Sequence, residues 1–402
     1  MKYIAIIGYG VVGGGITAVL EANREKIKRA VGDDVDVKYI LDLRDFPDSP
    51  YADRVVHDIA PILENGEVSL VCETMGGSHP AFEFSISCMK AGKSVVTSNK
   101  EVVANFGDQL LACARENGVE YLFEASVGGG IPVLRPFRTS LAGEQISEVS
   151  GIVNGTTNYI LTKMKAEKRD FDDVLREAQL LGFAEANPSA DIDGIDAQRK
   201  IIILAALATG ILADSGEVYA ETLRNVTMDD IAAADRMGAE IKLIARAKMC
   251  GSPEVYVCPM MVPASDPLSH VSDVYNGISV TSDVTGDIMY YGRGAGRYPT
   301  AGAVMADVVS VLSGAASAEL TPVFEKKSGS VKLFDEISFT YYIRAEAGCE
   351  ELRDALAHSA DEVKILSDEG GVVELTAGKM TKPALDAALL GKKVLSVIRI
   401  KD

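Results

Sequence analysis

Long apolar runs are missing from this chain. The most extended is residues 201–208, well short of the roughly 20 that cross a bilayer. The opening Met1-Lys-Tyr-Ile-Ala-Ile-Ile-Gly8 is too briefly apolar for a secretion signal. Basic charge is also scarce: 40 Lys and Arg face 58 Asp and Glu, a net −18. Such a balance repels phosphate backbones and anionic lipid, which argues against nucleic-acid and membrane partners. The six cysteines are scattered without a CxxC pair and the four histidines are isolated. A disulfide scaffold and a structural zinc site are therefore not expected, and a reduced, cytoplasmic chain is. His57, His79, His270 and His358 each read as surface or capping residues.

The rest of the composition is ordinary: 402 residues, 47% hydrophobic and 24% charged, enough for two or three domains. Over the first 125 residues, apolar runs at 3–7, 37–41, 68–72, 94–97 and 119–123 accompany helical stretches at 11–28, 80–90 and 101–117. The runs are continuous rather than alternating, as in strands buried on both faces of a parallel sheet. This predicts an α/β domain with a Rossmann-type doubly wound parallel sheet over residues 1–130, completed by the small-residue helix within 299–320. Residues 131–298 read as an α+β second domain. It has strands at 146–153, 254–261 and 277–283 and helices at 157–168, 171–181 and 196–212. A further helix runs from the capping box Thr227-Met-Asp-Asp230 through residue 247. After a linker at 326–330, residues 335–402 follow β-α-β-β-α-β order, a small ferredoxin-like arrangement.

The first strand runs into Gly8-Tyr-Gly-Val-Val-Gly13, a GxGxxG at a strand-to-helix junction. Gly8 permits the tight turn, Gly10 lets backbone approach a pyrophosphate, and Gly13 allows close helix packing. The N–H groups of Val11 and Val12 then open a helix towards the phosphates. Asp42, ending the second strand, would bond the 2′-hydroxyl of NAD, and Arg44 would pair with the 2′-phosphate of NADP. The spacing from the glycines exceeds the usual ~20 residues, and two solvated loop charges are an equal alternative. The cofactor stays NAD(P).

A second cluster lies in Ala178-Gln-Leu-Leu-Gly-Phe-Ala-Glu-Ala-Asn-Pro-Ser-Ala-Asp-Ile-Asp-Gly-Ile-Asp-Ala-Gln-Arg-Lys200. After Gly182 it places Glu185, Asp191, Asp193 and Asp196 in a short turn-rich stretch. Carboxylates this dense bind a cation, bind an ammonium group, or face water; the lack of His and Cys disfavours zinc. Lys200 lies at i+4 from Asp196, on the same helical face. It also begins a strongly apolar run, so it is partly desolvated, as a proton donor needs. The plainer reading is a helical salt bridge worth under ~0.5 kcal/mol. Lys100, in Thr97-Ser-Asn-Lys-Glu-Val-Val-Ala104, follows the fourth of these runs at the C-terminal edge of the sheet, where ligands of open α/β sheets bind.

The segment 178–200 resembles the homoserine dehydrogenase signature. Further segments are similar to the same family in the same order: Gly8–Gly13, Thr97–Ala104, Glu124-Ala-Ser-Val-Gly-Gly-Gly-Ile-Pro132, Asn154-Gly-Thr-Thr-Asn-Tyr-Ile-Leu161 and Gly294-Ala-Gly-Arg-Tyr-Pro-Thr-Ala301. The likeness spans about residues 1–320. It implies NAD(P)-dependent interconversion of L-homoserine and L-aspartate 4-semialdehyde in threonine and methionine biosynthesis. Lys200 would be the acid/base and Lys100 its partner beside substrate and nicotinamide. Glu185, Asp191 and Asp196 would contact the amino-acid substrate, and Asn154 would line the same site. Gly182 and Gly296 would lie near the cofactor. A monovalent cation such as Na+ would be held, mostly by backbone carbonyls, at Glu124, Val127, Gly129 and Ile131. The resemblance also implies a homodimer built through a substrate and dimerisation domain at 131–298, or a homotetramer. The C-terminal order resembles a divergent ACT-like module, and with no kinase portion before residue 1 a monofunctional chain is expected. The alternatives are another amino-acid or semialdehyde oxidoreductase on this scaffold and a catalytically silent nucleotide-binding regulator. Retention of both lysines speaks against the latter.

Overall fold

A parallel sheet of six strands organises the N-terminal part of the computed structural model, which describes residues 1–316 and 321–402. The last four residues of the expected 299–320 segment thus lie outside the described residues. The chain forms two units. The first comprises Met1–Ser147, Arg199–Ser215 and Val280–Ser328, and the second Glu148–Gln198, Gly216–Ser279 and Gly329–Asp402.

In the first unit the sheet order is Val55–Val56, Val35–Leu41, Lys2–Ile7, Val68–Glu73, Ser94–Thr97 and Tyr121–Leu122, with every pairing parallel. Chain order reverses beside Lys2–Ile7, the switch point where doubly wound sheets open a ligand crevice. Successive strand residues point to opposite faces, and Ile4 and Ala5, Ile6 and Ile7, Leu70 and Val71, and Val95 and Val96 are all buried, so the strands are covered on both faces. Helix Arg297–Leu312 covers one face, its Ala301, Val304, Met305 and Val308 joining Ile16 and Leu20 of helix Val11–Ala22 in one core. The close approach needs Gly15, where a Cβ would lie 2.8 Å from the Arg297 carbonyl oxygen. The stretch expected as one helix at 11–28 breaks at Asn23, which ends Val11–Ala22 and precedes Arg24–Val31.

The second unit carries a mixed sheet ordered Tyr275–Ser282, Ile146–Ile152, Ala239–Lys248, Glu254–Pro263, Lys393–Ile400, Ser338–Glu346, Val372–Thr381 and Val363–Glu369. Here the sequence reading needs correcting. The helix begun by the Thr227 capping box spans only Met228–Arg236, and residues 239–248 form a strand paired antiparallel with Glu254–Pro263 along its whole length. Gly238, at φ 68, turns the chain between them. The strand is buried on both faces, so it shows no period-two alternation and cannot be told from a helix by pattern.

The C-terminal elements run in β-α-β-β-α-β order, and their last strand pairs with the middle sheet through Met260–Arg399 and Met261–Ile400. The first residue of the expected 326–330 linker, Lys326, ends a short strand, Glu325–Lys326, paired with Ile211–Leu212 in the first unit. No helix among the described residues is long and apolar enough to cross a membrane.

Candidate active site

The glycine turn is built as the sequence reading requires. Gly8 has φ 91, and a Cβ there would crowd Met75 and Thr74 at 3.0–3.1 Å. At Gly13 a Cβ would stand 2.2 Å from the Gly8 carbonyl oxygen, so only glycine closes the turn. A Cβ on Gly10 would meet nothing within 4 Å, leaving that side open to a ligand. No side chain caps helix Val11–Ala22, so its first N–H groups are oriented for an anion. Next to the turn, a cavity of about 500 Å³ is lined by Gly8, Asp42, Arg44, His57, Met75 and Phe84, among others.

Asp42 is firmly held at this cavity. Its Oδ2 accepts from the Tyr9 N–H at 2.8 Å and from Arg44 Nη2 at 3.0 Å, while Oδ1 accepts from Arg44 Nε at 3.0 Å. The Arg44 guanidinium holds the carboxyl down at about 2. These residues fit a dinucleotide with its pyrophosphate at the helix and its adenosine ribose beside Asp42.

In the second unit, Asn154 gathers the acidic turn. Its Nδ2 donates to Asp191 Oδ1 at 2.7 Å and to Asp196 Oδ2 at 2.8 Å, and its Oδ1 accepts from the Thr157 N–H, capping helix Gly155–Glu167. Asp196 is buried at 5% exposure. Asp193 points elsewhere, accepting from the Thr222 hydroxyl at 2.8 Å and lying 3.5 Å from Arg224. Glu185 stands on the exposed turn after Gly182 (φ 75), where its carbonyl accepts from Gln179. The structure thus joins Asn154, Asp191 and Asp196 and leaves Glu185 and Asp193 outside that bonded group.

Lys200 lies on helix Ile195–Thr209 and is only 8% exposed, followed by the fully buried Ile201–Leu204. Lys100 is the first residue of helix Lys100–Glu116. Asn99 caps that helix, its Oδ1 accepting from the Glu101 and Val102 N–H groups at 3.1 and 3.2 Å. The N-terminal end of a helix is the unfavourable end for a cation, so Lys100 is held there by context rather than by helix preference.

The Glu124–Ile131 stretch lies in the first unit and is buried except at Gly130. The Glu124 carboxylate accepts from the N–H groups of Leu134 and Arg135 at 2.9 and 2.7 Å. Its own N–H donates to Asp307, which also pairs with Arg135. Burial raises both the Glu124 and the Asp307 carboxyls above their usual range. No cluster of three His, Cys, Asp or Glu side chains suited to a metal occurs among the described residues. Gly296 has φ 119 and precedes helix Arg297–Leu312. Arg297 donates to the Gly14 carbonyl at 3.0 Å, which sets this motif against the glycine-turn helix.

Burial pushes the Cys72, Cys88 and Cys258 thiols up, the last two to about 12, which makes them poor nucleophiles. Two groups near Lys100 escaped the sequence reading. Glu73 is fully buried and accepts from the Thr97 hydroxyl at 2.5 Å and the Met75 N–H at 2.7 Å. Glu101 pairs with Arg199 at 2.9 Å. Their one sequence signal was adjacency: Glu73 ends a strand, and Glu101 and Arg199 each neighbour a lysine already singled out.

Residues 8–124 match the family described as "Homoserine dehydrogenase, NAD binding domain" and residues 132–309 the one described as "Homoserine dehydrogenase". The chain is similar to the homoserine dehydrogenase of Neisseria gonorrhoeae, 35% identical over 393 residues covering 93% of this chain and 89% of that one. Its fold is similar to the crystal structure of a homoserine dehydrogenase from Thiobacillus denitrificans, with a TM-score of 0.90, 32% identity, and 100% and 98% of the two chains covered. It also matches a hyperthermophilic archaeal homoserine dehydrogenase in complex with NADPH, with a TM-score of 0.67, 28% identity, and 77% and 98% covered.

Proposed function

The chain belongs to the homoserine dehydrogenase family, and on that premise we propose that it is an NAD(P)-dependent oxidoreductase acting on a CH–OH group. Its reaction interconverts L-homoserine and L-aspartate 4-semialdehyde in threonine and methionine biosynthesis. The observation that carries the assignment is the pair of carboxylates bonded by Asn154, with Lys200 one helical turn beyond Asp196.

The substrate's α-ammonium group needs anionic neighbours. Asp191 and Asp196, oriented by Asn154, supply them, and Glu185, outside that bonded group, adds a third carboxylate on the exposed turn. A bound nicotinamide supplies or accepts the hydride. When the aldehyde is reduced, Lys200 gives a proton to the oxygen that acquires negative charge. In the reverse direction it removes the hydroxyl proton. Lys100 polarises the same oxygen, an electrostatic role for a positive charge. Gly8, Gly10, Val11, Val12 and Gly13 bind the dinucleotide, Asp42 and Arg44 meet its ribose end, and Gly182 and Gly296 lie along it. The carbonyls of Val127, Gly129 and Ile131, together with Glu124, hold a monovalent cation such as Na+, a reading that rests on the family resemblance of this stretch.

Three further readings extend this one. Residues 1–130, completed by 299–320, form the nucleotide domain, and 131–298 the substrate and dimerisation domain. Residues 335–402 are an ACT-like module, for which the β-α-β-β-α-β order speaks. The enzyme works in the cytoplasm as a homodimer or homotetramer.

The test is steady-state turnover of homoserine with NAD and with NADP, alongside Lys200→Ala. That variant loses turnover while NAD(P) affinity by fluorescence titration stays within about twofold. Equal loss of both refutes the role given to Lys200.

A further inference from the structure

Two helices carry the lysines assigned to the chemistry, and their next-door residues are ion-paired. Glu101 follows Lys100, Arg199 precedes Lys200, and Arg199 Nη2 lies 2.9 Å from Glu101 Oε2. We infer that Glu101 and Arg199 are a positioning pair that sets the directions in which Lys100 and Lys200 project, an inference that rests on the roles proposed above for those lysines.

The pair is built into its surroundings. The two side chains are only 26% and 24% exposed, so their attraction is less screened than that of a surface pair. The other Glu101 oxygen, Oε1, accepts from the Ser78 hydroxyl at 3.0 Å, and Ser78 Oγ accepts from Asn105 Nδ2 at 3.1 Å. Two residues before Glu101, Asn99 Nδ2 donates to the Gly77 carbonyl at 2.7 Å. The loop after strand Val68–Glu73, the N-terminus of helix Lys100–Glu116 and the helix carrying Lys200 therefore converge on one carboxylate.

Adjacent residues on a helix lie about 100° apart around its axis. An ion pair between Glu101 and Arg199 does not bring the lysines into contact. Instead it fixes the rotation of both helices, and so the line along which each neighbouring amine leaves its backbone. Glu101 also places negative charge at the positive end of its helix, which offsets the cost of Lys100 there. A surface ion pair would add little to stability and nothing to turnover. A positioning pair affects rate, because misplacing a reacting group by about 1 Å costs up to a hundredfold.

The experiment is a double-mutant cycle on the full chain with Glu101→Gln, Arg199→Gln and the double variant, beside Lys100→Ala and Lys200→Ala. Turnover, homoserine KM, NAD(P) affinity and thermal midpoint are measured for each. Each single variant lowers kcat by between about tenfold and a hundredfold, with NAD(P) affinity within about twofold. The double variant is no worse than the poorer single one, since the two act as a unit. Arg199→Lys, which keeps the charge, recovers part of the loss and carries the test if Arg199→Gln does not fold; Glu101→Asp does the same for Glu101. Wild-type kcat in the single variants, or losses that multiply in the double, overturns the inference while leaving the lysine roles intact. Turnover surviving in both lysine variants overturns those roles and this inference together.

Discussion

The Asn154 amide and the Asp196 carboxylate are joined by a 2.8 Å hydrogen bond between residues 42 positions apart. The amide cannot turn over without loss. Its oxygen is committed to the Thr157 N–H at the start of a helix, so its nitrogen must face the acids. A helix cap thereby becomes the orienting element of the proposed substrate site.

Asn154→Asp keeps a good capping residue but replaces the donor by a third carboxylate. The expected result is a rise in homoserine KM of about tenfold or more, since losing one charged hydrogen bond costs roughly 1.5–3 kcal/mol. The KM for NAD(P) stays near the wild-type value. Steady-state kinetics with each substrate varied in turn checks this, and equal effects on both constants would contradict it.

Gly13→Ala puts a methyl group where the Gly8 carbonyl oxygen would be 2.2 Å away. The turn must open, so cofactor affinity drops sharply. Gly10→Ala, which adds a Cβ with no protein atom within 4 Å, disturbs the apoprotein fold little and acts only against bound cofactor. Thermal melts with and without NAD(P) separate the two effects.

The Asp42 carboxyl, held at about 2 by Arg44, is ionised at every working pH. Arg44→Ala leaves that negative charge without its partner at the ribose end, where a 2′-phosphate would be repelled. The kcat/KM ratio of NADP to NAD is predicted to fall by about tenfold or more, the scale of one charge-assisted contact. An unchanged ratio would remove Arg44 from coenzyme selection.

Burial raises the Glu73 carboxyl to about 7. In the unfolded chain it titrates in the ordinary range near 4.5. Between those values the native state keeps a proton that the unfolded state has released, so stability falls as pH rises from about 4.5 to 7 and is level above. Glu73→Gln cannot ionise. It is therefore expected to match wild type near pH 4 and to exceed it at pH 8 by on the order of 3 kcal/mol. Denaturant melts across that range test the sign.

Much of this was legible from short-range rules. The glycine turn follows from backbone sterics, and the parallel strands from continuous apolar runs. The acidic segment and both lysines stood out as residue types in a local pattern. The reading failed where two conformations share one pattern, as in residues 239–248, whose burial on both faces hides their strand period. It also missed the strand Val55–Val56, too short to register as a run.

Sterics and helical spacing act within a few residues, so the glycine turn, the helix caps and the placing of Asp196 and Lys200 on one helical face are written locally into the chain. Folding chose which acids Asn154 bonds, turned Asp193 away to Thr222, and brought Glu101 to Arg199. Those contacts join residues far apart in the chain, and their partners are chosen by how strands and helices pack rather than by any local preference.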